Sequence, residues 1–319
     1  MTPARCAGAL AGILGAGLSA AVAAAPFAFV TNQGADSVSI VDLASNAIVD
    51  TVAVAGAPAG VATDARRGLV FVTSPDAHRV TALDADSHAV VSEAEAGQGP
   101  LGVAVDSVGG RVYVADWHGN EVKVFDALSL QPRGRYKVGR APSGIALSAD
   151  GRLLLVANRD DDEVQAISTV DGLTLGRIGV GKAPFGITLS SDGERAFVAN
   201  VQSADITVID LRGLQPSLTL AVGQMPYAIA HDARRERLFV TNQEDSTVSV
   251  LDLVERQEIT RIAVGDYPEG IALSERLRRV YVANWFSNSL TVIDADSLQV
   301  LETIATGDGT RAFGAFVLE

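Results

Sequence analysis

A repeat of 42 residues runs through the chain from residue 26 onward, and it limits the possible folds more than any other feature. A tetrapeptide with a large apolar residue, then Val, then Thr or Ala, recurs at this interval. Its seven copies are FVTN (29–32), FVTS (71–74), YVAD (113–116), LVAN (155–158), FVAN (197–200), FVTN (239–242) and YVAN (281–284). Residues 26–319 number 294, which is seven times 42. The sequence therefore predicts seven equivalent structural units.

Each unit contains four short apolar runs that are separated by turn residues. In the fifth unit the runs are FGITL, AFVAN, ITVID and LTLAV. Runs of about five residues rich in Val, Ile and Phe are typical of β-strands. Four antiparallel strands in a unit of 40–50 residues are typical of a β-propeller blade. We therefore predict an all-β fold, a seven-bladed β-propeller with four antiparallel strands per blade, which we name A to D.

The order of the runs predicts how the ring closes. The repeats begin with a strand B, FAFVT, and the last run, residues 313–317, resembles a strand A. We expect this C-terminal strand to join the N-terminal blade beside FAFVT, because closure removes the exposed edges of a linear array. An open solenoid is the alternative, and it would leave both end strands unpaired.

Two segments follow one sequence pattern especially closely. They are SGIALSADGRLLLVANRDDDEVQAIS (143–168) and EGIALSERLRRVYVANWFSNSLTVID (269–294). This pattern resembles the YVTN-repeat β-propeller family, whose members are YncE-like exported bacterial proteins. The resemblance covers residues 26–319 and implies the fold more strongly than the function. Members and near relatives of this family are linked to ligand or surface binding, to nucleic-acid binding, and to haem d1 or quinone-dependent redox systems.

The first 25 residues differ in composition from the repeats. Arg5 precedes an apolar run that ends in small residues, as in a secretory signal peptide. We predict a cleavable signal peptide over residues 1–25, a single propeller domain over 26–319 and a periplasmic protein without a membrane segment. A retained membrane anchor is the alternative. The only cysteine, Cys6, lies in this leader, so the mature chain has no thiol.

Charge separates the two loop faces of the predicted ring. The formal charge is −13, and it becomes −14 when the leader with Arg5 is removed. The six-residue segments between strands B and C hold eleven acidic and two basic residues, whereas those between A and B hold eight acidic and eleven basic ones. An acidic face repels phosphate backbones and attracts cations or basic partners, so nucleic-acid binding is disfavoured. Solubility alone is the other interpretation of these charges.

Candidate binding residues are those that break the repeat on one face. In a blade the B–C and D–A loops share one face, which we call the B–C/D–A face, and the A–B and C–D loops share the other. Large or charged side chains replace small ones in several of these loops, where an aromatic lining can stack on a ligand or contact a partner protein. The candidates are Trp117, His118, Arg159, Phe185, Tyr227, Tyr267, Glu269, Trp285 and Arg311. Packing of each Trp on its neighbouring blade is the structural alternative.

Catalytic and metal motifs are not found in the sequence. It has no GxSxG, P-loop or HExxH motif, and no CxxCH for covalent haem. The four histidines form no ligand pair, although His231 replaces a Leu of strand A and could face the channel as a haem ligand. Residues 160–163 could offer oxygen ligands to Ca²⁺. We predict no bound cofactor or metal and no catalytic residue, and enzyme activity is left open.

The leading hypothesis is a non-enzymatic, monomeric periplasmic scaffold that binds a partner protein or small ligand on its B–C/D–A face. The first alternative is an accessory or cofactor-associated protein of a haem d1 or quinone-dependent redox system. The second is a lactonase-like hydrolase, for which His118, Arg159, Glu269 and Arg311 are the available groups. Fold analogy is its only support.

Overall fold

Seven separate sheets form the computed structural model, which describes residues 26–319. Each sheet is one blade, and the strands follow in chain order. Blade 1 contains β1 (Phe27–Asn32), β2 (Ser37–Asp42) and β3 (Ala47–Ala53). Blade 2 contains β4 (Gly60–Asp64), β5 (Leu69–Ser74), β6 (Arg79–Asp84) and β7 (Val90–Glu95). Blade 3 contains β8 (Pro100–Asp106), β9 (Arg111–Asp116), β10 (Glu121–Asp126) and β11 (Pro132–Lys137). Blade 4 contains β12 (Pro142–Leu147), β13 (Leu153–Asn158), β14 (Glu163–Ser168) and β15 (Thr174–Gly179).

The remaining blades repeat this arrangement. Blade 5 contains β16 (Pro184–Leu189), β17 (Arg195–Asn200), β18 (Asp205–Asp210) and β19 (Gln215–Ala221). Blade 6 contains β20 (Pro226–Asp232), β21 (Arg237–Asn242), β22 (Thr247–Asp252) and β23 (Gln257–Ala263). Blade 7 contains β24 (Pro268–Ser274), β25 (Arg279–Asn284), β26 (Ser289–Asp294) and β27 (Val300–Ala305). The C-terminal strands are β28 (Phe313–Ala315) and β29 (Val317–Leu318), and a three-residue 3₁₀ helix, Arg159–Asp161, is the only helix in residues 26–319. The predicted seven-bladed β-propeller is confirmed. The predicted leader lies outside the described residues.

Burial falls from the middle of each blade to its rim. All six residues of β5, a strand B, are buried, whereas nearly every residue of the outer strand β3 is exposed. Neighbouring blades pack against both faces of the inner strands, so apolar side chains on both faces leave water. This packing explains why strands B and C read as nearly continuous apolar runs, and why charged residues are tolerated in strand D.

The B–C turns share one backbone feature. The last residue of each B–C turn has a positive φ between 48° and 58°. These residues are Asp36, His78, Asn120, Asp162, Ala204, Ser246 and Asn288. A left-handed residue before strand C is a common way to close a tight hairpin. The polar residues that favour this region occupy most of the seven positions.

The threonine of the FVTN and FVTS tetrapeptides links one blade to the next. Thr31 Oγ1 donates to the Ala59 carbonyl oxygen at 3.0 Å, Thr73 Oγ1 to that of Leu101 at 2.7 Å, and Thr241 Oγ1 to that of Glu269 at 2.9 Å. In each case the acceptor lies at the start of strand A of the following blade. The hydroxyl therefore bridges two blades near the channel.

Ring closure uses two short strands instead of the single one predicted. Strand β29 pairs antiparallel with β1, as Phe27↔Leu318 and Ala28↔Val317, so the predicted joining of the termini is confirmed. Residues 313–315 do not lie beside FAFVT, however. They form β28, which pairs parallel with β4 in blade 2. The cause is the close approach that Gly314 allows, because a Cβ on this residue would lie 2.4 Å from the Val61 carbonyl oxygen.

Candidate functional site

One position in each blade surrounds the channel at its B–C/D–A end. It lies directly after the Pro of the repeat, or after Thr310 at the end of the chain, and therefore at the start of strand A. The seven residues are Ala59, Leu101, Ser143, Phe185, Tyr227, Glu269 and Arg311. The position is occupied by small or aliphatic residues in blades 2 to 4, and by large aromatic or charged residues in blades 5 to 7 and at Arg311.

The charged members of this ring pair with each other. Arg311 donates from Nε to Glu269 Oε2 at 2.5 Å, and from Nη2 to Tyr227 Oη at 2.8 Å. Gln243 Nε2 donates to the other Glu269 oxygen at 2.9 Å. The Glu269 side chain is 1% exposed. Each polar group of the carboxylate thus has a partner, as burial requires.

Burial and mutual contact change the pKa values of Tyr227, Glu269 and Arg311. It raises the pKa of Tyr227, although the Arg311 charge opposes the change. It likewise raises the pKa of Glu269, against the attraction of Arg311. Burial disfavours the charged guanidinium of Arg311, but Tyr227 and Glu269 outweigh it and raise the Arg311 pKa. The arrangement is a neutral Tyr227 phenol beside the Arg311–Glu269 pair, in which burial opposes ionisation of the carboxyl group and Arg311 favours it.

Aromatic rings fill the centre of this end. The Phe185 ring lies 4.2 Å from Tyr227 and 5.1 Å from Phe313, measured between centroids. Trp117 lies 6.0 Å from Phe185, and the Arg159 guanidinium lies 5.6 Å above the Trp117 ring. Phe185, Tyr227 and Phe313 are all buried. Together with the Arg311–Glu269 pair, these rings seal the channel at the B–C/D–A end.

Three further aromatic residues form what we call the aromatic shelf: Tyr267, Trp285 and Phe286. The Phe286 ring lies 4.7 Å from Tyr267 and 4.8 Å from Trp285, and the Arg311 guanidinium lies 4.9 Å above Trp285. Phe286 is 62% exposed. The shelf therefore begins at the sealed end of the channel and extends into solvent.

Eight of the nine candidate residues form one chain of contacts. It runs from Arg159 and Trp117 through Phe185, Tyr227, Glu269 and Arg311 to Trp285 and Tyr267. His118 lies exposed at the margin, next to Trp117. Sequence reasoning missed Phe286 and Gln243. Phe286 follows Trp285 in the same B–C loop, and this adjacency could have identified it.

Acidic residues of the same face have structural partners. Asp36 Oδ1 accepts the backbone N–H groups of Gly56 and Ala57, at 3.0 and 2.8 Å. Asp116 accepts those of Gln98 and Gly99. Asp161, Asp162 and Asp245 accept backbone N–H groups of three further D–A loops. Such carboxylates fasten five of the seven D–A loops to a B–C turn of an adjoining blade, so the acidic face is partly a property of the scaffold.

The acidic run at residues 160–163 is also paired. Asp161 contacts Arg140, Asp162 contacts Lys182 and Glu163 contacts Arg177. Backbone and side-chain bonds from Arg140 lower the pKa of Asp161, and the bond from Lys182 lowers that of Asp162. These basic partners oppose the Ca²⁺ interpretation. From residue 26 onward, no group of three or more His, Cys, Asp or Glu residues could hold a metal ion.

A cavity of about 440 Å³ occupies the rest of the channel. Its wall includes Val103, Ile145, Ile187, Ile229 and Ile271, with Phe313 at the sealed end. Nearer the A–B loops, alanines and leucines line it, together with His231. The sequence did not predict this cavity, because the apolar residues of strands A do not differ from those of a fully packed core strand.

His231 packs inside the ring. Its imidazole lies 4.9 Å from the Phe197 ring, and its buried Nε2 has no hydrogen-bond partner. Burial lowers the His231 pKa, although Glu236 opposes the change. The side chain is therefore an interior, neutral histidine at pH 7.

Comparisons with known proteins agree with this architecture. The family model described as YNCE-like beta-propeller matches residues 3–111, about a third of the chain, and an NHL repeat model matches residues 98–125. The resemblance to YncE-like propellers is confirmed. No curated protein matches the sequence.

Solved structures share the fold at low identity. A functionally unknown protein from Desulfotomaculum acetoxidans DSM 771 is 18% identical, with a TM-score of 0.78, over 90% of this chain and 99% of that one. The dihydro-heme d1 dehydrogenase NirN, in complex with DHE, is 18% identical with a TM-score of 0.69, over 88% and 73%. Kuenenia stuttgartiensis hydrazine synthase is 18% identical with a TM-score of 0.71, over 79% and 87%. These similarities show the fold alone. From residue 26 onward, no helix has the length and apolar character needed to cross a membrane.

Proposed function

We propose that this YncE-like propeller is a non-enzymatic periplasmic binding protein that holds a partner protein on its B–C/D–A face. The observation that carries the proposal is the aromatic shelf, and above all the exposure of the Phe286 ring. Clustered aromatic residues with an adjacent Arg are typical of the residues that dominate binding energy at protein interfaces.

The shelf is held in place before any partner arrives. Trp285 N–H donates to the Tyr267 carbonyl oxygen at 3.0 Å, and Phe286 N–H donates to that of Asp266 at 3.2 Å. Arg311 covers the Trp285 ring from the channel side. A surface that is already ordered loses little conformational entropy on binding, and this favours affinity.

The geometry favours a protein partner over a small ligand at this face. Aromatic rings and the Arg311–Glu269 pair fill the channel end, so the shelf is an open surface. Glu244 and Asp266 are exposed near it, and the Glu244 charge acts with burial to raise the pKa of Tyr267. The partner should therefore present an apolar side chain flanked by basic residues.

The hydrolase alternative receives less support. It needs a carboxylate and cationic groups that are free to act on a substrate. Glu269 is instead buried in contact with Arg311, which is itself only 14% exposed, and His118 lies at the margin. The redox alternative rests on the resemblance and on fold similarity to NirN, which is 18% identical. Export is proposed from the leader-like residues 1–25.

A photo-cross-linking experiment tests the proposal. The full-length protein is produced in its native host with p-benzoylphenylalanine in place of Phe286, and the periplasmic fraction is irradiated. A matched variant carries the same group at Leu128, which is 69% exposed in a C–D loop on the opposite face. We expect a discrete protein adduct from position 286 that disappears when Trp285→Ala is added, and no adduct from position 128. Absence of an adduct at 286, or the same adducts from both positions, would contradict the proposal.

A further inference from the structure

The cavity in the channel is distinct from the aromatic shelf, and its walls have a definite chemistry. Among residues 26–319, no charged side chain lines it, and its polar side chains are those of Thr63, Ser107, Thr188 and His231. Two of these hydroxyls already have acceptors: Thr63 Oγ1 donates to the Val317 carbonyl oxygen at 3.0 Å, and Thr188 Oγ1 donates to that of Ile229 at 2.6 Å. Side chains therefore present a mainly apolar surface to the cavity.

Backbone groups add a limited polar component. The innermost strand of blades 3 to 7 has a hydrogen-bonded neighbour on one side only. The backbone N–H and C=O groups of a strand point alternately to its two sides. On these innermost strands, the groups on the side without a neighbouring strand therefore face the channel. An occupant with one or two hydrogen-bonding atoms can meet these groups.

The cavity is accessible from one end. The ring of Phe185, Tyr227, Glu269 and Arg311 closes the B–C/D–A end. At the other end the lining includes Ser107, which belongs to an A–B turn, and the half-exposed Leu147, Leu189 and Leu273. The opening therefore lies on the A–B/C–D face, opposite the shelf.

We propose that this channel binds an uncharged, largely apolar small molecule that enters from the A–B/C–D face. A volume of about 440 Å³ lies within the range of pockets that hold small organic ligands. Side chains offer water in this channel few partners, so a largely apolar occupant whose one or two hydrogen-bonding atoms meet the exposed backbone groups can displace it favourably. A charged molecule would lose its hydration without gaining a counter-charge, which excludes ionic ligands from the cavity.

Fluorescence titration with N-phenyl-1-naphthylamine, an uncharged aromatic probe, tests this site in the full-length protein. The half-exposed Ala146 and Ala272 line the cavity, so the double variant Ala146→Leu/Ala272→Leu fills part of it. The matched control is Ala53→Leu/Ala221→Leu, which makes the same changes at exposed positions of two outer strands. We expect saturable binding at one site, at least ten-fold weaker binding in the filled variant and unchanged binding in the control.

Further variants separate this site from the proposed function. Phe286→Ala and Trp285→Ala should leave probe affinity unchanged, because they alter only the opposite face. If the double variant does not fold, the single changes Ala146→Leu and Ala272→Leu should each weaken binding at least three-fold. Absence of saturable binding, equal affinity in the filled variants, or loss of binding on removing the shelf would overturn the proposal.

Discussion

Arg311 shows how one residue changes the chemistry of a repeated position. The equivalent residue is Ala59 in blade 2 and Ser143 in blade 4, whereas Arg311 bridges Glu269, Tyr227 and the Trp285 ring. A buried ion pair is often no more stabilising than apolar residues of the same size. We therefore expect the Arg311–Glu269 pair to hold Trp285 in position more than to increase the free energy of unfolding.

His231 makes a prediction about pH. Burial lowers its pKa below the ordinary value of 6.5, so the unfolded chain binds the proton more readily than the folded one. Titration of His231 therefore leaves the free energy of unfolding unchanged well above pH 6.5 and lowers it progressively as the pH falls below 6.5. His231→Leu restores the residue found at Leu189 and Leu273 and removes a buried Nε2 that has no hydrogen-bond partner, with Glu236 Oε1 4.0 Å away. We expect stabilisation of about 1 kcal/mol at pH 7, with a larger gain at pH 5.

Urea unfolding at several pH values measures this difference. His118→Asn is the control, because His118 is exposed and its replacement should leave the free energy of unfolding unchanged at each pH. A His231→Leu variant that loses stability, or whose gain does not grow as pH falls, would show that the buried imidazole has a partner or charge state other than the one described.

At the level of elements, the C-terminal segment has several structural roles. Arg311 helps seal the channel, Phe313 packs against Phe185, β28 extends blade 2 and β29 completes blade 1. Its two strands pair in opposite senses with two different blades. This segment therefore determines both the closure of the ring and the shape of the cavity.

Gly314 should be essential for this docking. Its φ is +119°, and a Cβ there would lie 2.4 Å from the Val61 carbonyl oxygen. We expect Gly314→Val to destabilise the protein by about 2 kcal/mol or more, through backbone strain and steric overlap. Chemical denaturation measures the loss. Gly179→Ala is the matched control, because a Cβ on Gly179 would meet no atom within 4 Å and its φ is not positive, so its free energy of unfolding should change little.

The sequence predicts these elements unequally. Seven copies of one pattern predict the blades and nearly all the strands, because each copy gives the same information. The division of residues 313–317 into two strands depends on the channel, where Gly314 meets Val61, and no local pattern encodes that contact. The cavity and the buried Arg311–Glu269 pair likewise arise from residues far apart in the chain.

At the scale of the whole molecule, the two ends of the channel have opposite characters. One end is sealed by aromatic rings and an ion pair and presents the aromatic shelf amid acidic loops. The other opens into an apolar cavity. The face of the predicted binding residues could be inferred from the repeat, because loops at equal positions share a face. The repeat does not indicate which end of the channel is closed, since closure depends on how Phe185, Tyr227 and Phe313 pack together.

Closure of the ring is the claim on which both proposed sites depend, and an engineered cross-link tests it most directly. Phe27 and Leu318 are paired in adjacent antiparallel strands, at a spacing of about 4.5–5.5 Å between Cα atoms that suits a disulfide. The variant Phe27→Cys/Leu318→Cys is made in a Cys6→Ser background. On mild oxidation it should form an intramolecular disulfide almost completely, which peptide mass spectrometry detects. The oxidised protein should also unfold at a higher temperature than the reduced protein. Two free thiols after oxidation, with the tail accessible to protease, would contradict the closed seven-bladed ring.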